Sequence, residues 1–106
     1  MNMTFSTFEQ EFVPFCETPG VDSGKARSYY LAIVYLAEYL NIHDFNKENV
    51  RLILGKENAI RDSKSNFYLQ LLDWLTPRHQ KSYLAKGYIK AAMSYFKDFT
   101  RQQRLL

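Results

Sequence analysis

A chain of 106 residues, 46% apolar and 16% aromatic, is long enough for one domain with a full core and too apolar to stay disordered. The net charge of +3 says little by its size, but a single cysteine excludes an internal disulfide and a cysteine-rich metal centre, and no apolar run reaches the roughly eighteen residues of a membrane span. No basic stretch followed by an apolar one opens the chain, so the cytoplasm is the expected compartment.

Eight Tyr and eight Phe stand against only three Pro and four Gly, and the apolar residues repeat at helical spacing. The expected fold is therefore all-α: a compact orthogonal bundle of four to five helices over residues 1–106, a single domain or the N-terminal module of a longer protein. Thr4 or Ser6 can cap a first helix carrying Phe5, Phe8, Phe12 and Phe15 on one side. Pro14 leaves its end open, because proline lacks a backbone donor and disfavours helical geometry at Val13. Thr18-Pro19-Gly20 is a turn. Asp22 or Ser23 caps a second helix over 24–40, apolar around most of its circumference and so central in the bundle. Exposure of its Leu31, Val34 and Tyr35 as one patch would instead mark a protein-interaction or self-association surface. Asn46 caps a third helix over 47–54, ended by Gly55. Residues 56–62 are charged and read as a loop.

Ser63 or Ser65 starts a fourth helix with Phe67, Leu71, Trp74 and Leu75 inward, and Thr76-Pro77 ends it. A turn at 77–81 leads into a last helix over 82–100, with Leu84, Tyr88, Ala91, Tyr95 and Phe99 as its apolar stripe. Gly87 inside it suggests a close helix crossing. The expected core includes Tyr30, Ile33, Leu71, Trp74, Tyr88 and Tyr95.

Charge is segregated along the chain. Residues 1–22 carry −4 and no base, residues 23–76 carry +1, and residues 77–106 carry +6, with seven bases against Asp98 alone. Five of those seven, Lys86, Lys90, Lys97, Arg101 and Arg104, read as a second stripe on the last helix, with Ser94 in its gap. An apolar face beside a basic one packs on its own domain and offers a charged rail outward, which suits a polyanionic partner. A second anion-binding feature is the helix start Ser23-Gly24-Lys25-Ala26-Arg27-Ser28, where free backbone N–H groups and the helix dipole favour phosphate. Interleaved Tyr83, Tyr88 and Tyr95 fit a core better than a base-stacking platform. Cys16, His43 and His79 do not make a zinc site, no glycine loop cradles a phosphate, and no Gly-flanked serine suggests a nucleophile. Asp62-Ser63-Lys64 spells half of a nuclease motif, but no predicted strand carries it. No enzyme, metal or cofactor is expected.

The order of signals carries a resemblance. A phenylalanine-rich first helix is followed by Ser23-x-Lys25-x-x-Ser28-Tyr29-Tyr30 and Leu36-x-x-Tyr39-Leu40. Near the end comes Ser82-x-x-x-x-Gly87-Tyr88-Ile89-x-Ala91-Ala92-x-x-Tyr95-Phe96-x-x-Phe99. This resembles the N-terminal SAM-like, core-binding domain of tyrosine recombinases and phage integrases, and also the helical N-terminal region of some restriction endonucleases. The resemblance implies a DNA-gripping module in which Lys25, Arg27 and Ser28 face the DNA backbone from the second helix, and Lys86 and Lys90 from the last. Lys97 and Arg101 extend that set along the basic stripe. The chain departs from the family in a long stretch before the last helix, with an extra helix around Trp74. It also lacks an arginine/histidine catalytic set with a late nucleophilic tyrosine. The implied partners are double-stranded DNA and either a second copy or a covalently linked catalytic domain, with no membrane role.

Overall fold

Four of the helices begin where a short polar side chain turns back to occupy a free backbone N–H. Thr4 Oγ1 accepts from Thr7 N, Asp22 Oδ1 from Lys25 N, Asn46 Oδ1 from Asn49 N and Ser65 Oγ from Tyr68 N, all at 2.7–3.1 Å. They start α1 (Phe5–Glu17), α2 (Ser23–Tyr39), α3 (Lys47–Leu54) and, further on, α5 (Asn66–Leu75) of a computed structural model that describes residues 2–106. Between α3 and α5 lies the short α4 (Glu57–Arg61), and after α5 come a 3₁₀ turn (Thr76–Arg78), the four-residue α6 (Ser82–Ala85) and α7 (Tyr88–Gln102). Among the described residues there is no strand, only one antiparallel bridge in which Met3 and Phe45 exchange backbone hydrogen bonds of 2.9 and 2.8 Å. The protein is an all-α bundle, with five helices of eight or more residues among the described residues.

Helix α2 packs against both α1 and α7. Its inward face is Ala26, Tyr29, Ala32, Ile33, Leu36 and Ala37, three of them alanines that let the neighbours approach closely. The centre of the core is built from phenylalanine. Phe8, Phe12, Phe45, Phe96 and Phe99 are fully buried. Phe8 lies 4.6 Å from both Phe12 and Phe45, and the rings of Phe96 and Phe99 meet it edge-on at 5.8 and 5.7 Å. Such tilted and edge-to-face pairs add to the area that the rings remove from water. Pro14 does not end α1: the helix runs on to Glu17, because Phe12 and Cys16 on either side of the proline are both buried.

Several expectations change. Residues 56–62 are not a loop. Five of them form α4, anchored by buried Ile60 and by Ser65 Oγ, which donates to the Ala59 carbonyl at 2.8 Å. One apolar anchor in a charged stretch gives no periodicity to read. The last helix is not continuous from 82. Gly87 takes the left-handed φ of +83° and separates α6 from α7, and a Cβ there would meet nothing within 4 Å, so no helix crosses it. The apolar stripe of α7 is also turned by about one residue from the expected one. The side chains that point inward are Ile89, Ala92, Met93, Phe96, Phe99 and Thr100, while Tyr88, Ala91 and Tyr95 flank them. In the core list, Ile33 and Leu71 are fully buried, but Tyr30, Trp74, Tyr88 and Tyr95 are half-buried at the rim. Rings with a polar tip suit that border position. Leu31, Val34 and Tyr35 are half-buried as well, and do not form a fully exposed patch.

Candidate nucleic-acid interface

Helix α7 positions most of the basic side chains. At 100° per residue, Lys90, Lys97, Arg101 and Ser94 fall within about 60° of one another, on the outward side of the helix. Lys90, Ser94 and Arg101 are exposed and Lys97 is half-buried. Lys97 Nζ lies 3.6 Å from Glu57 of α4, whose other oxygen accepts from Arg61 at 3.4 Å. One carboxylate thus sits between two bases. Arg101 lies 3.9 Å from Asp98, with both side chains largely in solvent, a geometry that ties up little of the arginine's charge. Arg104 leaves the stripe, because it takes φ +59° where α7 has ended, and Leu105 behind it is buried.

Lys86 is not part of α7 either. It closes α6, and the turn at Gly87 carries it to the N-terminal end of α7. There it meets Lys25 of α2. The two lysines, sixty-one positions apart in sequence, line one open cavity of about 220 Å³ with Tyr29, Gly87, Tyr88 and Ala91. Neither lysine forms an ion pair among the described residues. The helix behind the cavity has no side-chain cap at Gly87, so its first-turn N–H groups add to the positive potential.

The rest of the expected set is not brought to this place. Arg27 follows Lys25 by two residues and points about 200° away around α2. It donates from Nη1 to Glu9 Oε2 of α1 at 2.7 Å and lies over the Tyr30 ring at 5.5 Å. The hydrogen bond and charge of Glu9 raise the guanidinium's already high pKa further. Ser28 lies one turn on from Lys25, but its hydroxyl donates to the Gly24 carbonyl at 3.1 Å. The start of α2 is also not open to an anion as expected, since the Asp22 carboxylate already takes the Lys25 N–H at 2.8 Å.

Tyr29 is buried and stacks on Tyr95 at 5.1 Å, so these rings are walls between α2 and α7 rather than free platforms. His43 and His79 are exposed and far apart in sequence, and no group of three or more metal-binding side chains gathers among the described residues. No helix there is long and apolar enough to cross a membrane. Arg61 and Glu57 lie outside the expected set, because the sequence of the short helix that carries them reads as a charged loop. Comparison of the chain with protein-family models, curated proteins and solved structures returns no match.

Proposed function

We propose that this domain is a non-catalytic module that holds duplex DNA through its phosphates along the outward face of α7. The observation that carries the reading is the meeting of Lys25 and Lys86 at the N-terminal end of the helix that also presents Lys90, Lys97 and Arg101. A rail from Lys90 to Arg101 covers about 16 Å of helix axis, enough to follow several phosphates. The integrase-like order of signals in the sequence supports the same partner. Arg27, held by Glu9, and Ser28, engaged with its own helix, are secondary to this surface.

Four bases can reach phosphate: Lys25, Lys86 and Lys90, which form no ion pair among the described residues, and Arg101, whose 3.9 Å contact with Asp98 lies in solvent. Each contact releases counterions, so affinity for duplex DNA should fall with salt at a log–log slope near about −3.6. Fluorescence anisotropy of a labelled duplex at a series of salt concentrations measures that slope. A Lys86→Glu, Lys90→Glu variant should keep its circular dichroism spectrum and melting temperature, since both side chains are exposed, and should lose binding. No affinity of the parent at low salt, or equal affinity of the folded double variant, would overturn the reading.

A further inference from the structure

A second cavity lies on the same flank as the lysine pair but nearer the C-terminal end of α7. It is about 450 Å³, larger than the lysine-lined one, and is walled by Phe15, Thr18 and Pro19 at the end of α1 and by Tyr95, Asp98 and Gln102 of α7. That volume falls in the range of small-ligand sites, about 300–1,000 Å³. Phe15 is held against Phe99 at 5.4 Å, edge-on, and Tyr95 against Tyr29 at 5.1 Å, so both aromatic walls are braced from behind. Asp98 is the one ionised group in the lining, and no base joins it there. Thr18 Oγ1 spends its hydrogen on the Pro14 carbonyl at 3.0 Å, which leaves its oxygen as an acceptor. Gln102 brings an amide that can accept as well.

We propose that this cavity receives an arginine side chain presented by a protein partner. Two aromatic walls and a single carboxylate are complementary to a planar cation on an apolar stem: the stem lies on the rings, and the guanidinium meets the carboxylate and the neutral acceptors. The α1 wall adds no base to the site: α1 and the turn after it carry Glu9, Glu11, Glu17 and Asp22 and no Lys or Arg, with Glu9 already paired to Arg27. Free arginine is a poorer occupant, because the α-ammonium and α-carboxylate at the far end of its stem find no charged partner in the lining. A DNA phosphate is excluded, because Asp98 would repel it and no base in the lining offsets that charge. The contact of Arg101 with Asp98 does not block the site: it is 3.9 Å long, solvent-exposed, and Arg101 is not in the lining.

The test is a titration of the ¹⁵N-labelled full chain, followed by amide chemical shifts, with Nα-acetyl-arginine amide and, separately, with its uncharged citrulline counterpart. The arginine compound should shift Phe15, Thr18, Tyr95, Asp98 and Gln102 with millimolar-range affinity, as befits so small a probe. The citrulline compound should bind about tenfold more weakly, and Asp98→Asn should weaken the arginine compound by a similar factor. No localised shifts, equal shifts from both compounds, or indifference to Asp98→Asn would each overturn the proposal. The titration contains no DNA, so its outcome is independent of the DNA-binding reading.

Discussion

Within the core, single residues divide by what their side chains must do. Phe12 is fully enclosed by other rings, whereas Trp74 is half-buried, lying 5.3 Å from Tyr39 under the guanidinium of Arg78 at 3.9 Å. Truncation should therefore cost more at the phenylalanine. We expect Phe12→Ala to lose about 3–5 kcal/mol, a large part of the stability of a small domain, and Trp74→Ala to lose only about 2 kcal/mol. Urea unfolding of the two variants gives the order, and the reverse order would mean that the core is centred on α5. Cys16 offers a second test. Its thiol is fully buried, and burial, with a smaller contribution from the Glu17 charge, pushes its pKa from 9.0 up to about 12. The unfolded thiol ionises near its ordinary value while the folded one stays protonated, so the unfolded chain binds fewer protons between those values. Stability is thus fully present below about pH 9 and is lost as the pH rises toward 12. Tyr29, Tyr30 and Tyr35, whose pKa values burial also raises, act in the same direction. Melting temperature should fall through that alkaline window, and Cys16→Ala should flatten part of the fall.

At the scale of elements, what decides the chain's shape is how each helix ends. Asn41, His79 and Arg104 all take φ +59°, and in each case the next residue donates its N–H five residues back: Ile42 to Ala37, Gln80 to Leu75 and Leu105 to Thr100. This is the left-handed stop of the Schellman type, with buried Ile42 and Leu105 sealing two of the ends. The residue that most often marks such a stop is glycine, and none of the three is one. Even so, the ends of α2 near residue 40 and of α5 at Thr76-Pro77 are legible in the sequence to within a residue, while α7 runs two residues past the expected 100. At the starts the structure chooses Thr4 over Ser6, Asp22 over Ser23 and Ser65 over Ser63, and keeps Asn46. Gly87 misleads in the opposite direction: inside a continuous helix it suggests a close crossing, and it is the joint between two helices. That single break moved the apparent stripe of α7 onto Tyr88, Ala91 and Tyr95. The true inward face, Ile89 through Thr100, hides a threonine whose hydroxyl donates to the Phe96 carbonyl at 2.9 Å, so polarity alone could not locate it. The basic residues were visible in the sequence, but their partners, Glu9 for Arg27 and Glu57 for Lys97, come from distant segments that no helical wheel joins. Two substitutions with opposite signs check the backbone account. Gly87→Ala puts a Cβ at φ +83° and should cost about 1–2 kcal/mol although it touches nothing. His79→Gly relieves the same strain at φ +59° and should gain up to about 1 kcal/mol. Thermal unfolding reads both, and a stabilising Gly87→Ala would show that α6 and α7 can run together as one helix.

For the molecule as a whole, the question is whether its net charge or the placement of its charge governs binding. Two carboxylates provide matched variants. Glu57 sits between Lys97 and Arg61, beside the face of α7 that carries Lys90 and Arg101. Glu9 holds Arg27 on the α1 side of α2, about 200° around that helix from Lys25. Glu57→Gln and Glu9→Gln each raise the net charge from +3 by one, and each releases an arginine from a carboxylate. If the long-range field of the chain were what DNA senses, both variants would bind more tightly and to the same degree. If phosphates lie along α7, only Glu57→Gln frees bases where they can be used. Its log–log salt slope should then steepen by about one unit for a first added contact, while that of Glu9→Gln stays at the parent's value. Anisotropy titrations of the three proteins at matched salt concentrations separate the two cases. Equal gains for both variants would leave the duplex without a fixed place on the molecule, and a gain for Glu9→Gln alone would move the binding face to the junction of α1 and α2, where Arg27 lies.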